Sequence, residues 1–126
     1  MDGTNFELVE DFMEAMGQDV NVVPSWPDEE TQRLRVDLIE EELDELQYGL
    51  DNQDMVEVAD ALTDLLYVVY GAGHAFGIDL DDCFQEVHKS NLSKLGPDLR
   101  PIKREDGKVL KPDTYFPPDL KTVLNI

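Results

Sequence analysis

Acids in unusual places are the residues of this chain with the most chemistry in them. Glu41, Glu42 and Glu45 stand in a leucine-rich stretch, and Glu57, Asp60 and Asp64 in one that is otherwise almost wholly apolar from Met55 to Tyr70. In the first stretch Leu34, Leu38, Ile39, Leu43, Leu46 and Leu50 recur at helical spacing. At about 100° per residue they fill an arc of roughly 180° on a helical wheel. Asp37, Glu40 and Asp44 fall on the opposite side, as solvated acids do. Glu42 and Glu45 project inside the arc, with Glu41 at its edge. Burying an unpaired carboxylate is costly. A salt bridge to Arg33 or Arg35, one to three turns back, a bound cation, or a partly exposed helix end could each offset it.

The second stretch repeats the anomaly. Glu57, Asp60 and Asp64 share one helical strip roughly 60° wide. A narrow solvated stripe would look the same. Like charges so spaced destabilise a helix by a few tenths of a kcal/mol per pair, and a divalent ion reverses that sign. Oxygen ligands alone suit Mg²⁺ or Mn²⁺. The chain has no EF-hand loop, no histidine pair at zinc spacing, no P-loop and no glycine-rich dinucleotide fingerprint. His74 and His88 stand alone and are expected to be structural or surface residues, and Cys83 a packing residue.

These acids need helices to position them. Thr4 and Glu7 have capping-box spacing ahead of Phe6, Val9, Phe12, Met13 and Met16, which predicts a first helix ending near Gly17. A connector over 18–27 carries Pro24 and Pro27. A second helix is expected over 28–50, broken by Asp51-Asn52, which can cap a third running to about Gly77. So short a turn makes the two helices antiparallel neighbours and lets Glu42 and Glu45 face Glu57 and Asp60. Ile78-Asp79 opens a fourth helix, with Ile78 and Cys83 as a staple across Asp79, and Gly96-Pro97 is expected to stop it. The tail, 97–126, is irregular: Pro112, Pro117 and Pro118 forbid a long helix, and Arg104-Glu105-Asp106-Gly107-Lys108 carries a hairpin turn. Its Tyr115, Phe116 and Leu120 argue for packing, and a neighbouring subunit is the expected surface.

The chain has 126 residues, 10 Lys and Arg against 29 Asp and Glu, and a formal charge of −19. One domain, 1–126, is expected. Such a surface repels nucleic-acid polymers and anionic membranes. One cysteine fits a reducing compartment, and no leader or spanning segment is expected, so the location expected is cytoplasmic.

Glu41-Glu42-Leu43-Asp44-Glu45 followed by Glu57-Val58-Ala59-Asp60 resembles the EExxE…ExxD signature of the all-α nucleoside triphosphate pyrophosphohydrolases. That superfamily includes MazG, the dimeric dUTPases and phosphoribosyl-ATP pyrophosphohydrolase. Tyr70-Gly71-Ala72-Gly73, the run from Glu86 to Asn91, Lys94-Leu95-Gly96 and the tail from Arg104 to Val109 with Tyr115-Phe116-Pro117-Pro118 resemble its phage and bacterial MazG-like members. The gap between the motif halves is at the short end for the group. Asp64 offers a second aspartate, so the fourth ligand could be Asp60 or Asp64; Asp60 is favoured, with Asp64 outside the direct ligand set.

The resemblance implies an all-α, four-helix protomer that assembles into a dimeric or tetrameric helical bundle. It implies hydrolysis of a nucleoside triphosphate to the monophosphate and pyrophosphate, in the host cytoplasm if the chain is phage-encoded. Glu42, Glu45, Glu57 and Asp60 would hold Mg²⁺, with Mn²⁺ able to substitute, and Glu41 would orient or deprotonate the attacking water. Lys89, Asn91 and Lys94 look like the group's phosphate and sugar contacts. Arg104, Lys108 and Lys111 could close over the phosphates from the tail. Trp26 could stack on a base or sit in a core or interface. Relatives that prefer guanine deoxynucleotides turn the expectation towards dGTP or GTP. Two rivals need no catalysis. An acidic interaction module or DNA mimic has no use for Glu42 and Glu45 inside a leucine arc, and a structural metal bundle gives no role to the segment from Lys89 to Lys94.

Overall fold

A computed structural model describes residues 3–126; Met1 and Asp2, where a leader would begin, lie outside the described residues. Among the described residues the regular structure is helical apart from one small hairpin and an isolated bridge between Leu95 and Pro101. The chain runs α1 (Asn5–Ala15), α2 (Glu29–Asp51), α3 (Met55–Phe76), α4 (Leu80–Leu92), β1 (Ile102–Lys103), β2 (Val109–Leu110) and α5 (Leu120–Leu124). It divides into two compact units, one ending at Leu80 and one beginning at Asp81. No helix among the described residues is long and apolar enough to cross a membrane.

In the first unit local chemistry sets the helix ends. Thr4 and Glu7 close the capping box: Glu7 N donates to Thr4 Oγ1 at 3.2 Å and Thr4 N to Glu7 Oε1 at 2.9 Å. Asp28 caps α2 by accepting from Thr31 N at 2.8 Å. The cap of α3 is Asp54, which accepts from Glu57 N at 3.2 Å, and not the expected Asp51 or Asn52. Asp51 belongs to α2, and Asn52 donates from Nδ2 back to Tyr48 O at 2.8 Å, so its side chain finishes α2 instead of starting α3. Gly77 ends α3 at φ +69; a methyl there would stand 2.0 Å from Val23 O, so only glycine fits. The connector is tied to the same helix end, Asn21 N donating to His74 O and Ser25 N to Phe76 O, each at 2.9 Å.

α2 and α3 pack along nearly their whole lengths, and two close approaches fix their register. At one end a methyl on Gly49 would meet Val58 Cγ2 at 3.1 Å; at the other a methyl on Gly71 would stand 2.7 Å from Arg35 Nη1. Midway between these pairs lie Glu42 on α2 and Asp64 on α3. α1 crosses α3, burying Val9 and Met13, while Ala61 and Ala75 are buried on α3 itself. The apolar arc of α2 is therefore two faces. One meets α3. Leu34, Leu43 and Leu50 lie on the other, and with Leu62, Leu66 and Val69 of α3 they are 41–54% exposed. His74 is structural, as expected: it is buried, stacks on Phe6 with ring centroids 3.8 Å apart, and its Nε2 lies 2.8 Å from Phe6 O.

In the second unit α4 ends at Leu92, four residues before the expected Gly96-Pro97 stop. Hydrogen bonds from the tail decide this. Ser90 Oγ donates to Phe116 O at 2.8 Å, Ser93 Oγ to Ser90 O at 2.6 Å, and Phe116 N to Ser93 Oγ at 3.1 Å. Gly96 lies in the following loop and donates to Arg100 O at 2.7 Å. The expected hairpin is present, antiparallel, with Ile102 opposite Leu110 and Lys103 opposite Val109, and Gly107 in its turn at φ +87. α5 follows the prolines, capped by Asp119, which also donates from N to Glu86 Oε2 at 2.9 Å. The tail, expected on a neighbouring subunit, is thus anchored on α4 of its own chain. Cys83 is buried, as a packing residue should be.

Candidate metal centre

The register of α2 and α3 gathers three carboxylates. One oxygen each from Glu42, Glu45 and Asp64 lies within 4.8 Å of the other two. Glu42 comes from the α3-facing side of α2, Glu45 from one turn on, and Asp64 from the facing strip of α3. Glu42 Oε2 is buried and has no hydrogen-bond partner. No Lys or Arg forms an ion pair with any of the three among the described residues.

Their electrostatics follow from that crowding. The Glu42 carboxyl is pushed up to about 7, first by burial, then by the Glu45 carboxylate, which can share its proton, and then by the charges of Asp64 and Asp60. Asp64 is also raised, by burial first and then by Asp60 and Glu45, against a hydrogen bond from Glu42 that lowers it. Acids arranged this way repel one another in the metal-free chain. A divalent cation fits on two counts: the donor set is all oxygen, and Glu42, which supplies one of its oxygens, also has a buried carboxylate oxygen, Oε2, with no hydrogen-bond partner.

The sequence placed Glu57 and Asp60 as the α3 ligands, with Asp64 outside the direct set. The structure brings Asp64 into the three-acid group. Asp60 is near enough for its charge to act on both Glu42 and Asp64, and Glu57 rests with its Cγ against Gly49, 3.2 Å from where a methyl there would stand. Glu41 is exposed beside Glu42.

Trp26 is 84% exposed, its ring edge-on to Phe76 at 5.8 Å, so it is no core residue of this chain. In the second unit Lys94, just beyond the end of α4, donates from Nζ to Asn91 Oδ1 at 3.1 Å, while Lys89 is exposed on α4. Arg104 is engaged by Asp106, its Nε donating to Oδ1 at 3.0 Å, which raises the arginine and lowers the aspartate. Lys111 sits 4.7 Å from the centre of the Tyr115 ring, and Lys108 N donates to Asp106 Oδ1 at 3.1 Å. On sequence Arg35 is a possible salt-bridge partner of Glu42 and Glu45, and among the described residues it forms no such pair. It lies on the face of α2 that Glu42 occupies, seven residues earlier, with its Nε buried and unpartnered.

A protein of Acanthamoeba polyphaga mimivirus, described only as uncharacterized, is 43% identical over 96 residues, which cover 73% of this chain and 36% of that protein. The chain thus spans about a third of the length of that relative. The family profile described as phosphoribosyl-ATP pyrophosphohydrolase matches residues 9–91, a span that takes in α2, α3 and all three acids of the cluster. The chain belongs to the phosphoribosyl-ATP pyrophosphohydrolase family, the MazG-like group of all-α, metal-dependent nucleotide pyrophosphohydrolases.

Proposed function

We propose that this protein hydrolyses a (deoxy)nucleoside triphosphate to the monophosphate and pyrophosphate with Mg²⁺, leaning towards dGTP or GTP. The observation that carries the reading is a cluster of three carboxylates, one of them Glu42 with a buried unpartnered oxygen, that no basic side chain among the described residues pairs with. Glu42 and Glu45 hold the cation from α2. Asp64, with Asp60 and Glu57 on the same strip, supplies the donors from α3. When bound, the ion offsets the charge of the phosphate oxygens and acidifies an attacking water. Glu41, exposed at the edge of the cluster, accepts a hydrogen bond from that water and takes its proton. Lys89, Asn91 and Lys94 contact phosphate and sugar, Arg104, Lys108 and Lys111 add positive charge from the tail, and Trp26 offers a stacking face to the base. The test is a panel of nucleoside triphosphates and phosphoribosyl-ATP, with pyrophosphate release followed by a coupled assay. Release that needs Mg²⁺ or Mn²⁺ and stops with chelator is expected; release that survives chelation would refute the cation's role.

The same reading includes assembly. Apolar side chains half-exposed on both α2 and α3 leave more greasy surface than a chain of this size covers alone. The working protein is a homodimer or homotetramer in which helix pairs from two protomers close a bundle. Multi-angle light scattering at micromolar concentration is expected to give twice or four times the chain mass, 14.3 kDa. A species of one chain mass would contradict assembly.

A further inference from the structure

Charge is segregated between the two compact units. Asp81–Ile126 carries eight of the ten Lys and Arg and eight Asp and Glu, so it is neutral. Met1–Leu80 carries the other two cations against 21 acids, and with them the whole −19. Within the second unit the cations gather on the hairpin. Arg100, Lys103, Arg104, Lys108 and Lys111 fall within 100–111, where Glu105 and Asp106 are the acids. All five cations are exposed. Only Arg104 is in an ion pair among the described residues, and its partner is Asp106 of the same turn. The side chains of Arg100 and Lys103 have no ion-pair or hydrogen-bond partner among those residues.

Such segregation matters once the chain meets a second copy of itself. Two chains at −19 repel wherever acidic face meets acidic face, and the half-exposed leucines of α2 and α3 must overcome that repulsion in any homo-oligomer. A basic hairpin laid on the acidic unit of the other copy turns repulsion into attraction at that place. α2 offers the complementary surface. Asp37, Glu40 and Asp44 are exposed on the side of the helix opposite Glu42, and none is in an ion pair. Asp37 and Asp44 are roughly 10 Å apart along the axis. Arg100 and Lys103, three residues apart on near-extended backbone, are separated by about the same distance. In a closed two-fold assembly the contact forms twice. A nucleic-acid polymer suits the hairpin less well, because its phosphates would also meet the 21 acids of the first unit. Single exposed ion pairs contribute little, so the effect is that of the array, and salt screens it.

We propose that the basic hairpin of one copy docks on the α2 acids Asp37, Glu40 and Asp44 of a second copy. This rests on the assembly reading and adds to it a charged contact separate from the apolar face. Analytical ultracentrifugation over a concentration series, at about 0.05 M and about 0.5 M sodium chloride, tests it. Wild-type association is expected to weaken about 10-fold or more at the higher salt, which a purely apolar contact would not do. Arg100→Glu with Lys103→Glu should weaken low-salt association about 10-fold or more and remove the loss at high salt, with the helical circular dichroism unchanged. Adding Asp37→Lys and Asp44→Lys to that chain makes the two faces opposite in sign again and should restore association. Association that neither salt nor the glutamate pair alters would overturn the docking and leave assembly through the apolar face standing. A four-substitution chain that stays dissociated would overturn it as well. So would a glutamate pair that shifts only the melting temperature, which would place the hairpin on its own chain. A glutamate pair that abolishes binding of a single-stranded DNA or RNA probe, with association intact, would assign the hairpin to nucleic acid. A wild type of one chain mass at both salts would remove the assembly reading and the docking together.

Discussion

Glu42→Gln is expected to abolish turnover, by at least about 1,000-fold, and to raise the melting temperature of the metal-free protein. The first effect follows from losing a carboxylate at the centre of the cluster, where the cation's charge stabilisation is worth several kcal/mol. The second follows from relief of repulsion, because half-buried Glu42 stands among the charges of Glu45, Asp64 and Asp60. The pH dependence gives it a sign. The folded Glu42 carboxyl titrates at about 7 against an ordinary value of 4.5. Below the lower value it is neutral in both states and costs nothing. Between the two, the unfolded chain releases its proton while the folded chain keeps it, so the folded state loses stability as pH rises through that window. Above about 7 the loss is complete. Metal-free wild type should therefore melt lower at pH 8 than at pH 5, Glu42→Gln should lose much of that difference, and Mg²⁺ should raise the wild-type value at pH 8. A Glu42→Gln protein with near-normal activity at saturating Mg²⁺ would remove Glu42 from the site.

Asp64→Asn should cost more activity than Asp60→Asn, by about tenfold or more. Asp64 offers an oxygen within 4.8 Å of those of Glu42 and Glu45, whereas Asp60 acts on the cluster through its charge. Loss of a direct donor removes charge and geometry; loss of a neighbouring charge removes only the former. Each should weaken Mn²⁺ binding, measured by paramagnetic resonance of the free ion, in the same order. The reverse order would restore the ExxD aspartate, Asp60, as the direct ligand.

Why the sequence ranked these two the other way is a matter of register. Asp60 and Asp64 lie one turn apart on one strip, and either can face α2 once two helices are known to pair. The choice is made by Gly49 against Val58 and Arg35 against Gly71, close approaches that no periodicity reveals. Features set by local hydrogen bonds were legible: the Thr4–Glu7 box, the Gly77 terminus and the hairpin around Gly107. Features set by distant partners were not. Asn52 and Asp54 can both cap a helix, and the bond from Asn52 back to Tyr48 decides between them. The early end of α4 depends on Phe116, more than twenty residues away, and α5 is too short to show a period. Arg35 was visible as a residue on the face of Glu42, but the absence of a partner for it is a property of the packed chain.

The bond expected to be cut is the one between the α- and β-phosphates. Phosphorus NMR of dGTP incubated with the protein and Mg²⁺ reads this directly. The pyrophosphate and dGMP resonances should grow together, in equal amounts, with no dGDP intermediate. Stepwise orthophosphate with dGDP, or unchanged spectra for every triphosphate tried, would contradict it.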